Sequence, residues 1–246
     1  CAPLLAFGTE AQKQKYLIPL AKGEKLGAFG LTEANAGTDA AMQQTTAVKE
    51  GNTYRINGTK IFITNGGYAD TFIIFAMTDK EKGTRGISAF IVDKETPGFS
   101  IGKTEHKLGI KGSSTTELIF KDMILPEENL LGQEGKGFKV AMTTLDGGRI
   151  GIAAQALGIA QGALNEAIQY TKERKQFSRP LSSFQNTQFQ MAELQTKIDA
   201  ARLLTYRAAV LKDQGKPYST EAAMAKLYAS DVSMDSTRIS LQLMGG

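Results

Sequence analysis

The chain has 246 residues, 41% hydrophobic and 22% charged, and its 29 basic and 25 acidic residues give a formal net charge of +4. Such a composition suits a globular chain with a sizeable core, and so slight and scattered a positive balance argues against nucleic acid as a partner. No apolar run approaches the ~20 residues of a membrane span, and a single cysteine and a single histidine exclude an intrachain disulfide, a metal cage and a histidine-based triad.

The N-terminus, Cys1-Ala-Pro-Leu-Leu-Ala-Phe7, has neither a starting Met nor the basic region of a signal peptide, so the chain is expected to be a piece of a longer protein. Cys1 reads as an inert thiol, and His106, between Glu105 and Lys107, as a polar loop residue. Residues 10–22 read as a short helix closed by Gly23. Between residues 26 and 125, β-branched and aromatic runs alternate with Gly, Asn and Asp. Strands are expected over 45–49, 53–57, 59–64, 71–77, 87–92 and 115–120, with Glu50-Gly51-Asn52 and Asn57-Gly58 as turns. Short strands at near-regular spacing predict an antiparallel barrel or sandwich.

After Pro126 the period changes to that of helices, expected over 135–145, 149–175, 185–214 and 220–243. Their apolar stripes include Ile152, Ala156, Ile159, Ala160, Ala163, Leu164 and Ala167, then Leu194, Ile198, Ala201, Leu204 and Ala208. Pro180 and the 215–217 stretch supply the breaks, and the alanine-rich stripes predict close packing in an up-and-down bundle. The fold class expected is α+β: a tail at 1–24, a β-domain over 25–130 and a helical bundle over 131–246.

Four further stretches carry chemistry. Gly30-Leu-Thr-Glu-Ala-Asn-Ala-Gly-Thr-Asp39 reads as a strand running into a polar loop, where Gly37 admits a close ligand and Thr32 and Thr38 offer hydroxyls and amides. Asn57-Gly-Thr-Lys-Ile-Phe-Ile-Thr-Asn-Gly-Gly67 is on its own terms a half-buried strand. Leu145-Asp-Gly-Gly-Arg-Ile150 reads as a connector with Asp146 as a helix N-cap. Arg174-Lys-Gln-Phe-Ser-Arg-Pro-Leu-Ser-Ser-Phe-Gln185 reads as a basic helix end.

Taken in order and spacing, these stretches, with Gln242-Leu-Met-Gly-Gly246, resemble the signatures of the acyl-CoA dehydrogenase family; the texture is most similar to its short-chain, butyryl-CoA-type members. The first signature departs at Met42, where the pattern carries a small residue. The resemblance implies FAD as cofactor. It puts Phe29, Leu31 and Thr32 at the isoalloxazine edge, Gly37 and Thr38 near the pyrophosphate, and Phe62, Ile63 and Thr64 along the flavin face. Arg174, Phe177 and Gln185 are implied to reach the FAD of a neighbouring subunit, and Gln242, Gly245 and Gly246 its adenine end. Thr38, Asp146, Gly147, Gly148 and Arg149 are implied substrate contacts.

By the same resemblance the activity is α,β-dehydrogenation of a short-chain acyl-CoA. Electrons would pass to an electron-transfer flavoprotein, and the assembly would be a homodimer or homotetramer in bacterial cytoplasm or mitochondrial matrix. An oxidase using dioxygen and a non-catalytic interaction module of the same fold remain alternatives. One family branch carries its catalytic glutamate at the position of Gly148, so here the base is expected beyond Gly246, and no catalytic side chain is nominated within the chain.

Overall fold

In a computed structural model describing residues 1–246, helix α1 (Ala2–Phe7) opens on Pro3, and Thr9 caps α2 (Glu10–Gln12) in a reciprocal capping box with Gln12. The helix then widens through a π-turn, Lys13–Leu17, into α3 (Ile18–Lys22), where Pro19 has no amide to continue the regular ladder. Gly23, left-handed at φ 74°, ends it. The chain divides into two compact units, Cys1–Thr144 and Leu145–Gly246.

The first unit is built on one sheet. Its strands are β1 (Gly27–Gly30), β2 (Thr46–Glu50), β3 (Thr53–Thr64), β4 (Thr71–Met77), β5 (Ile87–Asp93), β6 (Phe99–Thr104), β7 (Thr115–Pro126) and β8 (Leu130–Leu131). The order is β6-β7-β3-β2-β4-β5-β8, with β1 beside β4. Most pairs are antiparallel, but β1 and β2 both run parallel to β4, so the sheet is mixed. β4 is buried along its whole length: Phe72, Ile74 and Ala76 face one core, and Ile73, Phe75 and Met77 face the other. In the first core Phe72, Phe99 and Phe120 pack ring to ring at 4.8 and 5.7 Å, and each such side chain removed from water contributes about 2–3 kcal/mol. The second core receives Leu4 and Tyr16 from the N-terminal helices and Val140 and Ala141.

Two expected boundaries change. Asn57-Gly58 is not a turn: β3 is one strand, with bulges against β7 between Ile56 and Gly58 and between Lys60 and Ile63. Asn57 closes the first bulge by exchanging two hydrogen bonds with Asp122, and Gly58, at φ 150°, fits where a Cβ would meet the Thr45 backbone at 2.7 Å. The strand read at the start of the Gly30–Asp39 stretch lies earlier, as β1, and β6 and β8 were not anticipated, β8 being only two residues long and β6 carrying Ser and Gly.

The second unit holds most of α4 (Gly137–Glu173), then β9 (Lys175–Gln176), β10 (Arg179–Pro180), α5 (Gln185–Asp213) and α6 (Ser219–Leu243). The expected break at 146–148 is absent: α4 runs through Gly147 and Gly148, and Asp146, rather than capping, pairs with Arg149 one turn on. Of the expected stripe of α4, Ala160, Leu164 and Ala167 are buried, joined by Ala153 and Leu157, whereas Ile152 and Ile159 are half exposed. The buried stripe meets Leu194, Ile198, Ala201 and Ala208 of α5 and Ala225, Ala229 and Val232 of α6. Ion pairs Lys197–Asp235 and Arg207–Glu221 fix the antiparallel register of α5 and α6. None of the helices is long and apolar enough to cross a membrane.

Candidate functional site

In the first unit the nominated residues collect where the exit of β1 meets the second bulge of β3. The Ile61 amide donates to the Thr32 carbonyl at 2.9 Å, which ties the two segments together. Between Lys60 and Ile63 the strand swells, and Phe62 adopts the left-handed conformation at φ 57°, which costs an L-residue about 1–2 kcal/mol. Its ring is 59% exposed, and Thr64 beside it is also exposed. Ile63 turns its side chain into the first core and has only its backbone to offer. Phe29 is half-buried, edge-on to Phe75 at 5.1 Å, and Leu31 is buried in the same core. Thr32 is half-buried, and Gly37 and Thr38 lie exposed on the loop that follows.

Beneath this face lies a charged group that the sequence did not single out. Lys60 is fully buried, and its Nζ donates to Glu33 Oε1 at 2.7 Å, to Gln43 Oε1 at 2.9 Å and to the Leu31 carbonyl at 3.3 Å. Glu33 in turn accepts the Gln44 amide at 2.6 Å and the Thr45 amide at 3.2 Å. Burial pulls the Lys60 ammonium down to about 8, although Glu33 opposes this. Burial pushes the Glu33 carboxyl up, but the Lys60 charge and the amide donors outweigh it and hold the carboxyl below its ordinary range. Strand parity puts Lys60 on the same face as Tyr54 and Ile56; the missed signal was its partners, Glu33 and Gln43, which come from a loop distant in sequence.

The second unit carries its nominated residues at two ends of the bundle. Asp146, Gly147, Gly148 and Arg149 lie near the start of its portion of α4. The Lys212 ammonium and the Tyr218 hydroxyl stand close enough for a Cβ on Gly147 to meet them at 3.4 and 3.8 Å. Arg174 lies some 37 Å farther along at 1.5 Å per residue, just past the helix end. There β9 and β10 form a two-residue hairpin whose tip, Phe177 and Ser178, holds φ of 52° and 62°. Phe177 is 88% exposed, near Phe184 at 6.1 Å, while the Arg179 guanidinium stacks on Phe184 at 4.0 Å. Gln185 begins α5 at this end, and Gln242, Gly245 (φ 91°) and Gly246 close α6 there too, because α6 runs antiparallel to α5.

No group of His, Cys, Asp and Glu is placed to hold a metal ion. What the first unit offers is an exposed aromatic ring held in a strained bulge and flanked by threonines, which suits a planar ring system bearing polar edges.

Comparison with known proteins identifies the family. The family description "Acyl-CoA dehydrogenase, middle domain" matches residues 28–123, and "Acyl-CoA dehydrogenase, C-terminal domain" matches residues 135–246. A short-chain-specific acyl-CoA dehydrogenase of Clostridium acetobutylicum is 66% identical over 247 residues, covering 100% of this chain and 65% of the relative. The structure of butyryl-CoA dehydrogenase from Megasphaera elsdenii superimposes with a TM-score of 0.97 at 59% identity, over 100% of this chain and 64% of that one. A chain in the structural study of the electron transferring flavoprotein of Acidaminococcus fermentans and flavin-based electron bifurcation gives 0.98 at 62% identity, again over 100% and 64%. The chain therefore spans about 65% of the length of the relatives it matches. With both family descriptions matched in sequence order and the whole chain aligned, the chain belongs to the acyl-CoA dehydrogenase family.

Proposed function

We propose that the first unit forms the flavin face, and the second unit carries acyl-CoA contacts, of an FAD-dependent dehydrogenase that converts a short-chain acyl-CoA to its trans-2-enoyl-CoA and passes the electrons to an electron-transfer flavoprotein. The observation that carries this is the Phe62 bulge: an aromatic side chain held out to solvent by a strained backbone, two residues from Thr64 and hydrogen-bonded through Ile61 to Thr32. That donor set suits the cofactor, since Phe62 offers an apolar surface to a flat ring while Thr32 and Thr64 offer hydrogen bonds at its edge. FAD, when bound, supplies the hydride-accepting centre for oxidation of the Cα–Cβ bond.

The chain's own residues bind, orient and exclude water. Phe62 and Leu31 shield the ring, and Gly37 and Thr38 present loop amides and a hydroxyl to phosphate oxygens. Asp146, Gly147, Gly148 and Arg149 hold the acyl-CoA, with the Lys212 ammonium beside Gly147 as a further cation. Arg174, whose planar fork suits phosphate, works with Phe177, Gln185, Gln242, Gly245 and Gly246 at the other end of the bundle. The roughly 37 Å between these two clusters favours their serving different sites, and hence a homodimer or homotetramer in which one copy completes the flavin site of another.

Glu33 is engaged by Lys60 and two amides and so is not free to take the α-proton, while Glu166 and Glu193 lie exposed on helices. The base is assigned to the part of the relatives' length that these residues do not span. The short-chain-specific dehydrogenase of Clostridium acetobutylicum supports the choice of substrate class, and the Acidaminococcus fermentans study supports the choice of electron acceptor.

The test is anaerobic flavin absorbance of the purified protein before and after butyryl-CoA. Bleaching of the oxidised band is expected for the full-length protein, and reoxidation by electron-transfer flavoprotein faster than by dioxygen separates dehydrogenase from oxidase. A colourless protein that FAD does not restore would overturn the reading.

A further inference from the structure

We propose that Lys60 is a positioning residue for the flavin face, setting the register of Thr32 against Phe62 and closing the loop that carries Gly37 and Thr38. The inference rests on the reading that this face holds FAD. Its basis is connectivity. One ammonium bonds the carbonyl of Leu31, immediately before Thr32, and the carboxylate of Glu33, immediately after it. Thr32 is thus gripped from both sides by a side chain rooted two residues before Phe62. The Ile61–Thr32 backbone bond lies between those anchors, so the three contacts form a clamp across the β1 exit and the β3 bulge.

The clamp also determines the loop. Glu33 opens it, and the same carboxylate accepts the amides of Gln44 and Thr45, where the loop returns to the sheet. Gln43 donates from Nε2 to the Ala40 carbonyl at 3.1 Å and accepts from Lys60. Both ends of the 33–45 loop therefore converge on one buried cation, and Gly37 and Thr38 ride on the span between them. A strained Phe62 needs surroundings that hold it in place, and a cation fixed two residues earlier on the same strand supplies them. Cohesion alone does not account for a lysine here, because a matched apolar pair in a buried site is often as stable as an ion pair. What the ion pair adds is a fixed geometry.

The experiment separates geometry from stability. Lys60→Met, Glu33→Gln and the double variant are compared with the wild-type protein for thermal melting of the apoprotein, FAD affinity, and the visible circular dichroism of the bound flavin. Lys60→Met is expected to melt well below wild type because it strands the Glu33 charge, and the double variant to recover much of that loss. FAD affinity in the double variant is nonetheless expected to stay at least tenfold weaker, with an altered visible dichroism band. A double variant that is stable and binds FAD with wild-type affinity and dichroism overturns the positioning role. Should the double variant not fold, Glu33→Gln decides by the same two flavin readings. Wild-type protein that binds no FAD sinks the functional reading itself, an outcome distinct from wild type and variants binding alike.

Discussion

The Ile61 amide and the Thr32 carbonyl meet at 2.9 Å beside the one residue of the bulge that is strained, Phe62. Because that ring is 59% exposed, Phe62 contributes little burial in exchange for its left-handed backbone. Glycine at this position sheds about 1 kcal/mol or more of strain while adding ~0.5–1 kcal/mol of unfolded-state entropy. Phe62→Gly is therefore expected to unfold within about 1 kcal/mol of wild type. Phe62→Ala, which keeps the strain, is expected to be the less stable of the two. Both variants are expected to retain less FAD. Urea denaturation checks the order, and an alanine variant more stable than the glycine variant would contradict the bulge geometry.

The Glu33 carboxyl, held below its ordinary range by Lys60 and two amides, makes stability depend on acidity. At low pH the unfolded chain binds more protons at this group than the folded chain does. The stability Glu33 lends is thus fully present above the unfolded carboxyl pKa of about 4.3 and is lost as pH falls through the lower folded value. Urea midpoints measured from pH 6 down to pH 3 should drop more steeply for wild type than for Glu33→Gln. Parallel curves would show that the carboxylate is not stabilised in the folded state.

Much of this organisation was legible from spacing, and the exceptions share a cause. Leu194, Ile198, Ala201 and Ala208 recur at helical intervals and are buried together in the bundle, because nothing competes with the period of α5. Asn57-Gly58 and Asp146-Gly147-Gly148 carry strong local signals for a turn and a cap, and both were overruled by partners distant in sequence or one turn along. Asp122 completes the hydrogen bonding of Asn57, and Thr45 presses on Gly58. Arg149 takes up the Asp146 carboxylate that was expected to cap a helix. Phe62 and Thr64 could be nominated from the strand motif, but the burial of Lys60 could not. A lysine is expected to stay solvated, and its burial depends on Glu33, Gln43 and the Leu31 carbonyl, which reach it only once the 33–45 loop has folded over β3.

Tyr54 makes the opposite pH dependence in the alkaline range. Its ring is buried against Phe90 at 5.0 Å, and its hydroxyl donates to Glu134 Oε2 at 2.6 Å. Burial, followed by that hydrogen bond and the nearby carboxylate charge, pushes the phenol up to about 12. The folded chain therefore holds this proton where the unfolded chain has lost it. Its contribution is complete below the unfolded pKa of about 10 and disappears as pH rises through about 12, a range worth roughly 2–3 kcal/mol. Tyr54→Phe should cost about 1 kcal/mol at neutral pH and flatten the decline between pH 10 and 12. Equal alkaline slopes for the two proteins would count against the Glu134 bond.

Two glycines of α4 should respond in opposite directions to the same substitution. Gly148 lies inside the helix with nothing within 4 Å of a would-be Cβ, so Gly148→Ala replaces a flexible residue by the best helix former at no steric cost. A gain of about 0.5–1 kcal/mol follows. Gly137, the first residue of the helix, is buried against β5, and a Cβ there would lie 2.5 Å from the Ser88 carbonyl carbon and 2.8 Å from the Ala89 amide nitrogen. Those atoms belong to a paired strand and cannot give way as a flexible side chain would. Gly137→Ala is therefore expected to destabilise by about 1–3 kcal/mol despite the same improvement in propensity. Far-ultraviolet circular dichroism against urea measures both. A stabilised Gly137→Ala would mean that α4 does not begin against Ser88, whereas a destabilised Gly148→Ala would mean that the helix does not run unbroken through Asp146, Gly147 and Gly148.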